Sequence, residues 1–186
     1  MPLPRFDRLA PDARAAILAV ARAHFARDGM DGASFNQIIA AAGISKTSAY
    51  HYFDGKGDLF AAVAADVADR TLAALGPWVE VSTPEALWEQ VAAGTDRLGA
   101  HLREHPDDRA VLAAAPHPGG ATPWIDALVG NGVRLGLIDP APDVELLTSA
   151  TAAVIGAVDA WALQRTDAPH DALTVLLRRL WNTRGE

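Results

Sequence analysis

Residues 34–53, SFNQIIAAAGISKTSAYHYF, constrain the fold of this chain more than any other stretch. Ser34 and Gln37 form an S-x-x-Q capping box, which satisfies backbone donors at the start of a helix. Ile38, Ile39 and Ala42 then supply an apolar face, and Gly43 stands where a helix C-terminus commonly takes a left-handed residue. Ser45 suits the N-cap of a second helix. Ala49 and Phe53, four apart, mark the inward face of that helix. Lys46, Thr47, Ser48, Tyr50 and His51 make the rest of it cationic and hydroxyl-rich, poor material for a core. Two short helices around a tight turn, the second polar outside, form a helix-turn-helix, whose second helix fits the major groove of DNA.

The rest of the chain carries helical signals. Pro11-Asp12 opens a helix over 11–28 with Ile17, Val20, Ala21 and Phe25 at helical spacing, and Gly29 and Gly32 end it. A long helix over 56–75 is stopped by Gly76-Pro77. Thr83-Pro84-Glu85 places a cap, a first-turn proline and an acid in sequence, starting a helix that Pro106 stops. Further helices are expected over 107–114, 122–136, 143–165 and 169–183, separated by PHPGG and LIDPAPD. No stretch alternates with period two. The expectation is an all-α chain of about nine helices: an N-terminal three-helix domain with the helix-turn-helix at 1–55, and a helical domain at 56–186.

Aromatic residues and charge divide the chain as well. All five Phe fall at or before Phe60 and all five Trp at or after Trp78, which implies two cores of different character. Residues 1–60 hold seven Lys+Arg against six Asp+Glu, whereas 61–186 hold nine against seventeen. Both lysines, Lys46 and Lys56, lie at the helix-turn-helix, a small cationic footprint on a chain of net charge −7. The absence of cysteine removes disulfides, thiol catalysis and thiolate metal sites. No uncharged run of 18 apolar residues occurs, and MPLPRFDRLAPD is neither a signal peptide nor a transit sequence. The chain is therefore expected in the cytoplasm, away from membranes.

Phe25, Gly29, Ser34, Ile38, Ala42-Gly43-Ile44-Ser45, Tyr50-His51-Tyr52-Phe53, Lys56 and Leu59-Phe60 hold the offsets of a known pattern. The chain resembles the DNA-binding domain of the tetracycline-repressor (TetR) family over some 50 residues. It departs at Ile39, where the family usually has Ala, and at Ala49, where it usually has Leu, an exchange that conserves volume if the two touch. The resemblance implies a transcriptional regulator, a repressor, binding a double-stranded DNA operator as a homodimer. Lys46, Thr47 and Ser48 open the second helix and are expected to read base edges. Tyr50, His51, Ser34, Ser45 and Lys56 are expected on phosphates.

By the same resemblance the last two long helices would pair with those of a second subunit. The residues concerned are Leu146, Ala150, Ala153, Val154, Ala157 and Trp161, then Leu173, Leu176, Leu177 and Leu180. The C-terminal domain would bind an unidentified small apolar or aromatic effector, with Trp88, Trp124, Trp161, His101 and His117 as pocket residues. Two other readings compete. HLREH at 101–105 matches H-x-x-E-H, which on one helix would place two histidines as metal ligands and imply a metal-dependent hydrolase. His105 before Pro106 at a helix end argues against it, so no enzyme, metal or cofactor is expected. The second is a helical dimeric interaction module without DNA binding, against which Lys46, Tyr50 and Lys56 speak.

Overall fold

The structure is a computed structural model that describes residues 2–115, 122–165 and 167–181. Among the described residues there are ten α-helices and no strand. They are α1 (Pro4–Asp7), α2 (Pro11–Gly32), α3 (Phe35–Ala41), α4 (Lys46–Tyr52), α5 (Lys56–Leu75), α6 (Pro84–Glu104), α7 (Pro106–Ala114), α8 (Pro123–Arg134), α9 (Val144–Leu163) and α10 (Ala172–Leu180). Each expected helix is present, and α1 is additional. Prolines stand at the first turns of α1, α2, α7 and α8, where a missing N–H costs nothing. In α2 the helical path breaks at Gly29 (φ 69°), and α5 ends at Gly76 (φ 78°).

The chain divides into two compact units. The first comprises Met1–Leu72 with Leu102–Pro116. It is larger than the expected 1–55 segment because Leu59, Phe60, Val63 and Val67 of α5 and Val111 of α7 enter the same core as Phe6, Phe25, Ile38 and Phe53. Phe25 and Phe60 meet edge to face at 5.1 Å.

The second unit comprises Ala73–His101 with His117–Glu186. Its core holds Leu87, Trp88, Val91, Ile125, Leu128, Val129, Ile138, Leu177 and Trp181. The buried amide of Asn131 organises the segment after α5. Its Oδ1 accepts from Trp78 Nε1 (3.1 Å) and from the Val81 N–H (2.9 Å), and its Nδ2 donates to the Val81 carbonyl (2.9 Å). Gln90 grips Val79 by the same two-sided pairing. Arg97 donates twice to the Leu75 carbonyl (3.0 and 2.8 Å), satisfying an acceptor that the end of α5 leaves without a helical partner. Gly94 packs closely beside it, and a Cβ there would sit 2.9 Å from Leu75 Cδ1 and displace that side-chain tip.

Candidate nucleic-acid interface

Local chemistry builds the helix-turn-helix as its spacing implies. Ser34 Oγ accepts from the Gln37 N–H at 3.5 Å and Ser45 Oγ from the Ser48 N–H at 3.1 Å, so both caps are formed. Gly43 turns the chain at φ 68°, a conformation that disfavours a side chain. Ile38, Ile39, Ala49 and Phe53 are all buried. Lys46, Thr47, Tyr50 and His51 consequently face outward and are exposed.

The remaining expected contacts differ in detail. Ser48 is half-buried, and its hydroxyl lies 2.9 Å from Ser45 Oγ, which ties it to the cap. Tyr50 is 48 % exposed, but one face of its ring rests on Phe35 at 5.6 Å. Tyr52 turns inward onto Phe6. Lys56 Nζ donates to the Asp31 carbonyl at 2.8 Å and so closes the C-terminal end of α2. Gln37, expected only as part of a cap, and Asn36, given no expected role, are exposed on the first turn of α3.

What the sequence argument missed lies behind α4. The Leu3 N–H donates to the Tyr52 carbonyl at 2.8 Å, and Phe6, 4 % exposed, packs on Phe53 at 4.7 Å. The four-residue helix α1 is thus a buttress that fixes the end of α4. Its one signal was the three-residue spacing of Leu3, Phe6 and Leu9, too short to register as a periodic helix.

The residues expected to line an effector pocket have separate neighbours. Trp88 is buried against Trp181 (5.2 Å) beneath the Arg178 guanidinium (4.5 Å). Trp124 stands edge-on to Trp78 at 5.1 Å. Trp161 is exposed, with Arg165 over its ring at 4.6 Å. His101 lies in the last turn of α6, and His117 falls outside the described residues. An open depression of about 550 Å³, lined by Glu80, Val81, Ser82, Ala86, Asn131, Arg134 and Leu135, includes none of Trp88, Trp124, Trp161 and His101.

Along α9, Leu146, Ala153, Ala157 and Trp161 are exposed and recur at helical spacing, while Ala150 and Val154 are half-buried beside them. The opposite face, with Thr148, Thr151 and Ala152, is buried. In α10, Leu176 is exposed, Leu173 and Leu180 are half-buried, and Leu177 belongs wholly to the chain's own core. By length and composition α9 could also cross a membrane; 17 % of that stretch is buried. As for HLREH, α6 ends at Glu104, and His105 has non-helical backbone (φ −123°, ψ 73°) before α7, so the two histidines do not share a helix. Among the described residues no group of three or more His, Asp or Glu could hold a metal ion.

Residues 17–63 match the family profile described as "Bacterial regulatory proteins, tetR family". No curated protein matches the chain. Solved structures share the fold. A TetR-family transcriptional regulator from Pectobacterium atrosepticum is 23 % identical with a TM-score of 0.62, over 94 % of this chain and 96 % of that one. A TetR-like transcriptional regulator from a Rhodococcus species is 21 % identical with a TM-score of 0.55, over 93 % and 96 %. A TetR-family regulator from Streptomyces coelicolor is 20 % identical with a TM-score of 0.55, over 94 % of each.

Proposed function

Because this chain is TetR-like in its helix-turn-helix segment and in its fold, we propose that it is a sequence-specific transcriptional repressor that binds an inverted-repeat operator as a homodimer and answers to a small effector. The observation that carries this reading is the outer face of α4. Lys46, Thr47, Tyr50 and His51 are exposed together on a helix whose opposite side is fully packed. Lys46 and Thr47 at the N-terminal end reach base edges: an ammonium donates to guanine O6 or N7, and a threonine can touch a thymine methyl. Tyr50, whose ring packs on Phe35, and His51 take phosphate oxygens, as does the half-buried Ser34 at the N-terminus of α3. Ser45 and Ser48 hold the first turn of α4 in place through their mutual hydrogen bonds. Lys56 uses one donor on Asp31 and has two further N–H groups for a phosphate.

In this reading residues 1–55 carry DNA recognition and 56–186 carry effector binding and dimerisation, in the cytoplasm. The uncovered stripe of Leu146, Ala150, Ala153, Val154, Ala157 and Trp161, continued by Leu173, Leu176 and Leu180, pairs with its copy, and Leu177 supports it from within. Leu146 is 59 % exposed, a large apolar side chain with no cover of its own, which supports a protein partner there. Asp159 lies four residues inside the C-terminal end of α9, where an ionised carboxylate favours a protein partner over a lipid core. The effector is a small apolar or aromatic molecule, and no metal, cofactor or catalytic step is involved.

The test is selection of duplexes from a random-sequence pool by the purified protein. An inverted repeat with half-site centres about one helical turn, ~34–36 Å, apart is the expected yield. A pool that stays random after repeated rounds rejects the DNA reading and leaves the interaction module. Monomeric sedimentation, or partition into lipid vesicles, rejects the dimer.

A further inference from the structure

Asp108 is the most deeply buried carboxylate among the described residues, with 1 % of its side chain exposed. It comes from α7 and sits between two guanidiniums of two other helices. Its Oδ1 lies 3.4 Å from Arg22 Nε on α2, and its Oδ2 lies 3.1 Å from Arg70 Nη2 on α5. Asp66 of α5 completes the cluster, 3.8 Å from Arg22 Nη1. None of these four residues lies in α3 or α4.

A buried carboxylate between cations is a poor way to gain stability, because desolvation cancels much of the attraction. Losing the buried partner is costly, because Arg22 and Arg70, with only 20 % and 33 % of their side chains exposed, would be left without the carboxylate between them. Such a cluster therefore enforces geometry. Without Asp108, Arg22 and Arg70 would face each other as like charges, with Asp66 reaching only the first. The helix that delivers Asp108 cannot hold itself: α7 has nine residues, below the length at which a helix persists alone, and one fully buried apolar side chain, Val111. Asp108 in its first turn also meets the positive end of the helix dipole. Docking of α7 and the spacing of α2 and α5 are thus one event. Helix α2 packs on α3 and α3 on α4, a contact path by which that spacing reaches α4.

We propose that Asp108 is a positioning residue of the DNA-reading unit, and that α7, far downstream of the helix-turn-helix, must be ion-locked between α2 and α5 for α4 to read DNA. The proposal rests on the DNA-binding reading above for its consequence, though not for its geometry. The experiment compares Asp108→Asn, which keeps shape and removes charge, with Val111→Ala, which weakens the apolar side of the same docking. Both are examined at equal loss of thermal midpoint by hydrogen exchange and by titration with the selected duplex.

Asp108→Asn is expected to raise exchange in 106–114 and in 46–52 about tenfold or more, and to weaken duplex binding by a similar factor. Val111→Ala should raise exchange in 106–114 alone, with exchange in 46–52 and duplex affinity nearly unchanged, and Asp108→Glu should restore most of the binding. If Asp108→Asn does not fold, Arg70→Gln, which removes one cation and leaves Arg22 on the carboxylate, replaces it in the comparison. Equal exchange in 46–52 for the Asn (or Gln) and Ala variants overturns the proposal, as does unaltered duplex affinity. A selection that returns no duplex refutes the DNA reading alone, and the exchange comparison still decides the role of Asp108.

Discussion

Two uncovered helix faces set the two halves of this molecule apart. On α4 the outward side chains are an ammonium, a hydroxyl, a phenol and an imidazole, at Lys46, Thr47, Tyr50 and His51. On α9 they are Leu146, Ala153, Ala157 and Trp161. Both helices are amphipathic in the sense that one side is packed, yet what the other side lacks is different. The α4 face is at ease in water and gains by meeting fixed anions, so its affinity must fall with salt. The α9 face loses free energy in water and gains by meeting a like surface, with little dependence on salt. The same degree of exposure therefore points to a polyanion in one case and to a copy of the chain in the other.

The contrast can be broken by substitution. Phe6→Ala should have the largest effect, about 3–5 kcal/mol of stability lost from the first unit, because it empties a site between Tyr52 and Phe53. DNA binding should collapse while sedimentation still reports a dimer; loss of both together would show that the two faces are not separable.

Ala153→Arg should follow, placing an unpaired charge on the apolar stripe and weakening self-association by roughly two decades or more. Analytical ultracentrifugation across a concentration series would measure it, and an unchanged dissociation constant would remove α9 from the interface. Lys46→Ala and Thr47→Ala should each relax preference at one base pair by about 1–3 kcal/mol, readable by selection against the wild type. Retention of the same motif by both variants would shift the base contacts elsewhere.

Lys56→Ala is the subtler case, since the ammonium also closes α2 on the Asp31 carbonyl. Roughly 0.5–1.5 kcal/mol of stability should go with that bond. A drop of about one in the salt slope would show a phosphate contact as well; stability loss with an unaltered slope would confine Lys56 to capping.

The smallest effect concerns pH. Burial pushes the Asp66 carboxyl above its ordinary value, against the pull of Arg22. The folded state thus holds that proton more tightly than the unfolded chain. The group's contribution is complete below the ordinary carboxylate range and fades as pH rises through the raised value. Asp66→Asn should therefore gain on the wild type as pH climbs from strongly acidic towards neutral. A gap between their urea midpoints that stays constant with pH would refute this.

Much of this arrangement is legible in the residues because its causes are local. Ser34, Gln37, Gly43 and Ser45 act within one turn, so caps and turn follow from spacing alone. Prolines and glycines punctuate the long helices in the same way. The separation of Phe from Trp along the chain predicts two cores, and two cores exist. Polar identity on one side of α4, given that Ala49 and Phe53 must pack, fixes which side chains face out.

Tertiary structure alone decided the rest, and in each case the cause is contact between residues distant in sequence. A leucine, a phenylalanine and a proline at the start of the chain become a buttress only because Tyr52 and Phe53 are there to receive them. Trp88, Trp124 and Trp161 share a residue type in the sequence, but only packing sets their neighbours: Trp88 meets Trp181 and Trp124 meets Trp78. Asn131 could have been any surface amide until the segment at 78–81 came to rest on it. Asp108 is one acid among twenty-three on paper. It becomes singular because folding shuts its carboxylate off from water and brings two partly exposed arginines from other helices onto it, so that its charge is matched by charge.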